Sequence, residues 1–518
     1  MKRSARRKLC LALAALVFLL SACSSKQPVQ GSGADTVSTL APASNPYDAP
    51  IDDNGLSYET LVNLYLPSRD GQRLQPRQVS MTLVRGSSNA RAIVQALLDY
   101  RPDASDPEDW TRAVGGQTAL RLSGSNPVEV SGDVCTVNLV GTANALEYDE
   151  MYTLCLALAA TLSEASGIRY VNLLVENMPV SFDVGGYLPA GSVEAQPGEE
   201  LAVLWYLMES RKTPLGSSAA SQRLTATATL YFPLADGSGF IAQARELTFM
   251  GQTPDIMASR LLAALSAWSQ STDGCAALPD IQSLLELSPE VSEHPGGGRV
   301  ITLRFRSDLE EMLGDVSLAN FVACVNWTLS TFIPSVRAVR FYIGSSLLTA
   351  VSDDPYGLIS VPDGMTQRSH FSAGLRELDR IYMARNNRLT LVSRSVSADQ
   401  AGHPRALLNL MLDGVTAAEA ALGITSPFPD SLGSGDVLGI SIQGDCLLIN
   451  LSTHFASQLI SMSESEQRLC CYAMTDSLCD SLQLTRVRFY WGSEVHGQLG
   501  SPFDWSGEFM LNHTLTGI

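Results

Sequence analysis

The sequence contains little lysine, and no positive charges cluster outside residues 1–22. Lysine occurs only at Lys2, Lys8, Lys26 and Lys212. The formal net charge is −18, and removal of residues 1–22, which hold five basic residues and no acidic one, would make it −23. An acidic chain without a basic stripe excludes nucleic acid as an expected partner. It also argues against electrostatic adhesion to an anionic membrane.

Motifs for catalysis and for metal binding are missing as well. The sequence has no Cys-x-x-Cys, His-Glu-x-x-His, Gly-x-Ser-x-Gly or phosphate-loop pattern. The stretch "HPGGGR" from His294 is predicted to be a hairpin turn, whereas a phosphate cradle needs a helix N-terminus behind it. Paired acids such as Glu310 and Glu311 are expected to be solvated. The sequence therefore predicts no enzyme, no metal site and no cofactor.

The longest apolar run lies at the N-terminus. The basic stretch "MKRSARRK" precedes "LCLALAALVFLL", which is too short to span a bilayer comfortably. The next residues, "LSAC" from Leu20 to Cys23, resemble the lipobox of bacterial lipoproteins. This resemblance implies cleavage before Cys23 and a lipid on its thiol, which would anchor an extracytoplasmic chain to the outer face of the cell membrane. The alternative is an ordinary signal peptide with an incidental cysteine.

The segment after Cys23 is rich in Ser, Pro, Gly, Ala and Asp and shows no periodicity up to about residue 56. Such a composition is typical of a flexible linker, and a linker of about thirty residues has a reach on the order of 30 Å. We therefore expect a tether that holds the folded part of the chain off the membrane.

Three stretches of the chain have similar sequences. They are "NLYLPSRDG" from Asn63, "TLYFPLADG" from Thr229 and a diverged "RIYMARNNR" from Arg380. Each predicts a strand that runs into a turn. A helical pattern, a hairpin, a second helical pattern and a last strand follow in each case. The copies are too long to be solenoid repeats, which indicates tandem domains.

We therefore predict an α+β fold of three tandem small βαββαβ domains, each a short sheet with two helices on one face. The predicted segments are a signal peptide (1–22), a lipidated Cys with a flexible tether (23–57), domain 1 (58–190), a linker (191–221), domain 2 (222–352), a linker (353–374) and domain 3 with a C-terminal tail (375–518).

The shared patterns resemble the GerMN domain, also called the sporulation and spore germination domain. The resemblance rests on "LYLP" and "LYFP", on the hairpin arms "VNLV" and "INLS", and on a "TL" helix before "VRFYIG". It covers most of residues 58–190, 222–352 and 375–500. The third copy departs from the pattern, with Ala384 and Arg388 in place of the opening Pro and Gly.

The resemblance implies a function in the cell envelope. The family is best known from a lipoprotein of endospore-forming bacteria, whose domains resemble the ring-building motif of secretion machines and serve a channel complex. We therefore expect a non-enzymatic lipoprotein that scaffolds a sporulation-associated or germination-associated envelope complex through protein–protein contacts. The alternative is a lipoprotein unrelated to sporulation that acts on the cell wall or binds a solute, which would need a deep pocket with convergent polar groups.

Aromatic residues recur at equivalent strands of the copies and are candidates for binding a partner. They are Tyr65, Tyr231, Tyr342 and Tyr490. Residues next to each other in a strand face opposite sides of a sheet. Where two aromatic residues are adjacent in one of these strands, one therefore belongs to the core and the other to the open face. That open face could bind a partner or pack on the next domain, and the sequence favours neither.

The cysteines are expected to be buried thiols. Cys135 and Cys446 are assigned to the same strand position of two copies, and Cys324 and Cys471 to the same helix position. Equivalent residues of separate domains are poor candidates for pairing, and cysteine is readily buried. Disulfides remain the alternative for an extracytoplasmic chain.

Overall fold

The structure is a computed structural model. The residues it describes are 49–68, 70–100, 120–124, 126–141, 146–183, 186–210, 212–214, 222–272, 274–492, 499 and 501–516. The predicted signal peptide, Cys23 and most of the predicted tether lie outside the described residues, so the lipid anchor stays a prediction.

The described strands fall into three groups along the chain. They are β1 Ser57–Pro67, β2 Leu74–Val84, β3 Arg121–Leu122, β4 Val128–Ser131, β5 Val134–Val140, β6 Tyr170–Val175, β7 Met178–Pro179, β8 Val193–Glu194, β9 Lys212–Pro214, β10 Gln222–Pro233, β11 Phe240–Phe249, β12 Glu290–Glu293, β13 Arg299–Phe305, β14 Val336–Ile343, β15 Ser346–Leu347, β16 Ala350–Asp353, β17 Gly357–Ser360, β18 Met365–Thr366, β19 Arg376–Arg385, β20 Arg388–Ser397, β21 Val437–Gln443, β22 Cys446–Leu451, β23 Arg486–Trp491 and β24 Glu508–Met510.

Helices alternate with these strands, which makes the fold α+β as predicted. The described α-helices are α1 Ala90–Asp99, α2 Tyr148–Ser166, α3 Leu201–Ser210, α4 Pro254–Ser269, α5 Ile281–Leu284, α6 Leu309–Met312, α7 Leu318–Phe332, α8 Pro404–Leu412, α9 Ala417–Ala421, α10 Thr453–Ile460 and α11 Glu464–Leu482.

Each copy opens with a two-stranded antiparallel hairpin instead of the single predicted strand. The hairpins are β1–β2, β10–β11 and β19–β20. The second strand of the first hairpin, "LQPRQVSMTLV", is largely exposed or half-buried along its length. Its many polar residues interrupt the alternation of apolar and polar residues by which a strand is predicted from sequence. The predicted order βαββαβ therefore lacks the second strand of each copy.

Each copy also closes with a short strand that the prediction did not contain. The last predicted strand of each copy (β6, β14 and β23) pairs in parallel with the second hairpin arm, and the closing strand (β8, β18 or β24) lies antiparallel beside it. The structural copies are therefore copy 1 (57–194), copy 2 (222–366) and copy 3 (376–510). The closing strands of the first two copies lie in segments that were predicted to be linkers.

The second long helix of each copy lies between the opening hairpin and the sheet. Helices α2, α7 and α11 contact both the first strand of their hairpin and the last parallel strand. Every residue of α7 from Ala319 to Phe332 is buried. This position suits the helix, because it has no charged residue, and a helix without a charged or solvated face is stable only when it is buried on every side. The predicted sheet with two helices on one face did not include the opening hairpin, which packs on the other side of this helix.

A repeated hydrogen bond fixes this helix to the hairpin. The backbone N–H of Tyr65 donates to Thr161 Oγ1 at 2.9 Å, and the equivalent bonds run from Tyr231 to Thr328 at 3.1 Å and from Tyr382 to Ser477 at 2.9 Å. These bonds set the true alignment of the copies. In the third copy the acceptor is Ser477, which is therefore equivalent to Thr328. The sequence alignment that placed Cys324 opposite Cys471 was wrong by two residues.

Copies 1 and 2 share one hydrophobic core, whereas copy 3 has its own. A single cluster of buried apolar residues extends from Val62 to Leu375, and a second extends from Ile381 to Phe509. Residues from Ala49 onward form one compact unit. The first two copies are therefore not separate globules joined by a free linker.

A buried arginine joins copies 1 and 2. Arg368 lies in residues 367–375, the connecting segment, which links copies 2 and 3 along the chain. It is 5% exposed and donates to Glu129 of copy 1 at 2.5 Å. Its guanidinium lies 3.8 Å from the ring centroid of Trp327 in copy 2 and donates to Thr331. Burial raises the pKa of Glu129, and the charge of Arg368 opposes that rise. This segment was predicted to be part of a linker, yet it is bound on both sides.

Replacement of Arg368 by Met should destabilise the chain by about 3 kcal/mol, because Glu129 would remain buried without a partner. The double variant Arg368→Met/Glu129→Gln should recover much of that loss, since no buried charge remains. Urea unfolding of the three proteins measures both values. Equal unfolding free energies for the parent and Arg368→Met would contradict the role given to this ion pair.

Candidate interaction surfaces

Two of the predicted partner-binding tyrosines are accessible at the surface. Tyr65 is half-buried, and its hydroxyl donates to Glu164 Oε2 at 2.5 Å. Burial and Glu164 together raise the pKa of Tyr65 to about 12. Tyr342 is also half-buried, and the guanidinium of Arg304 lies 4.2 Å from its ring centroid. Their binding role stays a prediction.

The other two tyrosines are enclosed by the chain itself. Tyr231 is 1% exposed because Trp327 packs against its ring and Arg368 lies 5.6 Å from the ring centroid. Tyr490 is 0% exposed, in a small cluster against which Ala49 packs. In the folded chain neither side chain offers a surface to a partner. The predicted binding role of Tyr231 is therefore corrected to internal packing, whereas Tyr490 lies beneath the segment that contains Ala49, and its binding role stays a prediction.

Tyr382, which the sequence analysis did not select as a site, repeats the arrangement of Tyr65. Its hydroxyl donates to Asp480 Oδ2 at 2.8 Å, and burial together with that bond raises its pKa to about 12. The signal in the sequence was its position in "RIYMARNNR", the third of the three similar stretches. That stretch begins two residues before Tyr382. In copies 1 and 3 this tyrosine binds a carboxylate, with Tyr65 half-buried and Tyr382 8% exposed, whereas Tyr231 of copy 2 is 1% exposed.

Each sheet has an outer face, which we define as the face turned away from the buried helix. In copy 1 this face is covered by copy 2. Asn172 donates to Thr229 Oγ1 at 2.9 Å, and Ser192 binds Asn172 Oδ1 at 2.9 Å. Asn172 is 2% exposed. The open face predicted from the sequence is, in copy 1, an interface between copies.

The outer face of copy 2 carries its own charged side chains. Arg304 lies between the ring of Tyr342 and the carboxylate of Glu290, which is 3.8 Å from its Nε atom. Arg340 is half-buried on the neighbouring strand. This polar and aromatic combination is typical of the rim of a protein–protein interface.

The outer face of copy 3 is covered by residues 49–56, which were predicted to belong to the tether. Asn450 Nδ2 donates to the carbonyl of Pro50 at 2.8 Å, and the backbone N–H of Asn54 donates to the carbonyl of Ile440 at 2.8 Å. Arg405 of α8 binds both carboxylate oxygens of Asp53 at 2.6 Å. The chain therefore contacts copy 3 before it enters copy 1.

Helix α3 exposes apolar side chains that the sequence analysis did not select. Val203, Tyr206 and Leu207 are 41%, 68% and 51% exposed, while Leu204 and Met208 are buried. The signal in the sequence was "LAVLWYLM", an apolar run inside a supposed linker. Contiguous exposed apolar side chains on a helix are typical of a contact surface.

The eight described cysteines are free thiols, and seven are buried, with Cys275 half-exposed. Cys135 and Cys446 do not occupy equivalent positions. Val134 pairs with Tyr170, and Cys446 pairs with Arg486 at the corresponding place, so Cys135 is one residue further along its strand. A shift of one residue turns a side chain to the opposite face of a sheet.

A polar junction joins the three copies. Ser131 Oγ of copy 1 donates to the carbonyl of Arg376 in copy 3 at 2.7 Å and accepts from the backbone N–H of Ala242 in copy 2 at 3.0 Å. The N–H of Gly132 donates to Glu377 at 2.8 Å. A groove of about 420 Å³ lies beside these residues. Burial raises the pKa of Glu377 to about 7, although the bond from Gly132 opposes the rise.

Ser452, Asp436 and His454 lie together and are the residue types of a catalytic triad. Ser452 donates to Asp436, and His454 Nδ1 lies 3.1 Å from the same carboxylate. Ser452 Oγ also accepts from the N–H of Phe455 at 3.0 Å, as an N-cap of α10 does. A nucleophilic serine needs the histidine as its base. Here both side chains bind the aspartate, so the group is a helix cap.

Within the described ranges, no group of three or more His, Cys, Asp or Glu side chains is placed to hold a metal ion. A search of the same residues for helices that are long and apolar enough to cross a membrane finds none.

The stability of the junction should depend on pH through Glu377. Its raised pKa means that the folded chain binds a proton more tightly than the unfolded chain, so stability falls as the pH rises from about 4.5 to 7. Asp379, whose pKa burial also raises, acts in the same direction. Glu377→Gln should flatten this decline by up to about 3 kcal/mol, because one pKa unit corresponds to about 1.4 kcal/mol.

The test is the midpoint of thermal unfolding between pH 4.5 and 8. Glu246→Gln, at an exposed position of β11, serves as the charge-matched control and should follow the parent. A Glu377→Gln profile parallel to the parent profile would contradict the prediction.

The thiols should differ in reactivity as their burial does. In a mature chain carrying Cys23→Ser, iodoacetamide should modify Cys275 first and the seven buried cysteines only after unfolding, because a thiol must reach solvent to be alkylated. Mass spectrometry of the digested protein measures each site. Rapid modification of Cys471 in the native chain would show that α11 is not buried as described.

Comparisons with known proteins identify one part of the chain. The family model described as "Sporulation and spore germination" matches residues 63–181, which lie within copy 1. The search of curated proteins finds no match. Among solved structures, the tandem GerMN domains of the sporulation protein GerM from Bacillus subtilis align with 13% identity and a TM-score of 0.23, covering 57% of this chain and 100% of that one. A candidate lipoprotein from Clostridium perfringens aligns with 16% identity and a TM-score of 0.15, covering 27% and 91%.

Proposed function

We propose that this chain, whose residues 63–181 form a domain of the sporulation and spore germination family, is a non-enzymatic scaffold of a sporulation-associated complex in the cell envelope. A lipid on Cys23 tethers it to the outer face of the membrane. Its partners are other envelope proteins, including a channel complex of the sporulating cell.

The observation that carries this proposal is the family match of copy 1. Two features of the structure support it. Helix α3 exposes Val203, Tyr206 and Leu207 together, and the outer face of copy 2 presents Arg304 beside Tyr342. Apolar and arginine–aromatic surfaces of this kind are enriched in protein–protein interfaces.

The copies contribute to the scaffold as one body. Because copies 1 and 2 share a core and the connecting segment is bound to both, a partner meets surfaces whose spacing is fixed. Fixed spacing lowers the entropy lost when a second contact forms. The scaffold therefore gains specificity from the arrangement of its surfaces as well as from the tether.

Deletion of the gene in its native host should lower the count of heat-resistant spores by at least an order of magnitude, because the envelope complex would lose its scaffold. The wild-type gene should restore the count. Cys23→Ala should not restore it, because the protein would leave the membrane. Cys275→Ala, at a half-exposed cysteine outside the predicted lipobox, is the matched control and should restore it.

An unchanged count, in a strain that has no other protein with this domain, would contradict the sporulation role. The chain would then be an envelope lipoprotein that acts on the cell wall or binds a solute.

A further inference from the structure

Residues 49–56 occupy the outer face of copy 3 in the manner of a bound peptide. The segment bends at Ile51, Asp52 and Gly55, and Asn54 forms a single parallel bridge with Ser441 on β21. Strand β21 is the edge of its sheet, since it pairs on one side only with β22. Addition of a peptide backbone to the edge of a sheet is a common mode of peptide recognition.

The charged contact fixes the register of this segment. Arg405 binds Asp53 through two parallel N–H···O bonds of 2.6 Å and also donates to the carbonyl of Val437 at 2.7 Å. The side chains are 31% and 22% exposed. Bidentate pairs of this kind are stronger than single neutral hydrogen bonds and specify the position of the carboxylate.

Two glycines let the backbones approach closely. A Cβ atom at Gly439 would lie 2.4 Å from the carbonyl oxygen of Pro50, and one at Gly55 would lie 2.6 Å from that of Ile442. Gly55 also has a φ of +66°, which other residues rarely adopt. Both the segment and the sheet are therefore shaped for this contact.

An apolar surface lies beneath the segment. Cys446, Leu448 and Tyr490 form a cluster separate from the main core of copy 3, and Ala49 packs against it. Removal of residues 49–56 would uncover this cluster together with the free edge of β21 and Arg405. The corresponding face of copy 1 is also covered, by copy 2, so this sheet face is used for contacts more than once in the molecule.

We infer that the outer face of copy 3 is a peptide-binding surface, which residues 49–56 occupy in cis and which a partner's acidic segment occupies when they leave. The partner segment pairs with the edge of β21, offers a backbone carbonyl to Asn450 and places a carboxylate on Arg405. The inference rests on the proposed scaffold function and names the chemistry of one of its contacts. Because the tether ends at this segment, displacement also frees the tether from copy 3.

The test uses the mature full-length chain with Cys23→Ser, so that no lipid is attached, and a fluorescent peptide with the sequence of residues 49–56. Asp53→Ala and Arg405→Ala break the same ion pair and should both release the segment. Alkylation of Cys446 should then be about tenfold faster in each, as expected for loss of one charge-assisted contact. Arg388→Ala, in the hairpin of copy 3, should leave the rate unchanged.

Only Asp53→Ala should bind the added peptide, because its surface keeps Arg405. We expect its affinity to exceed that of the Cys23→Ser parent and that of Arg405→Ala by about tenfold. Equal binding by the two variants, or an unchanged rate at Cys446 in both, would overturn the inference. These measurements are made on purified protein, so their failure is distinguishable from an unchanged spore count, which concerns the scaffold function.

Discussion

The arrangement of the first two copies depends on the buried guanidinium of Arg368. It lies against Trp327 and Tyr231 of copy 2 and forms an ion pair with Glu129 of copy 1. A buried charge is tolerated only when it is paired and hydrogen-bonded. The connecting segment, the helix α7 and the sheet of copy 1 must therefore keep one relative position, and the shared core forms around them.

This constraint changes what the repetition of the domain means for function. Three independent copies on flexible linkers would offer three similar surfaces to partners. Here the outer face of copy 1 is used against copy 2, and that of copy 3 is occupied by residues 49–56. Among the described residues, the outer face of copy 2 and helix α3 are two surfaces that stay uncovered. They differ from each other in chemistry, so each is suited to a different contact.

The sequence predicted the three copies, their α+β class and the buried state of the cysteines, because these follow from local apolar patterns. It did not predict the second strand of each hairpin, in which polar residues interrupt the apolar ones, or the closing strands, two of which are only two residues long. Nor could it distinguish Tyr65 from Tyr231. Both open their copies in the same way, and Tyr231 is buried by Arg368, which lies far along the chain. Contacts of this kind leave no local signal.

The most direct test of this account is native-state hydrogen exchange with increasing denaturant, read by mass spectrometry on peptides from α2 and α7. If copies 1 and 2 share one core, the most protected amides of both helices should open with the same free energy and the same denaturant dependence, as one cooperative unit does. Exchange of α2 at a lower free energy, while α7 stays protected, would show that the copies unfold separately and would contradict the account.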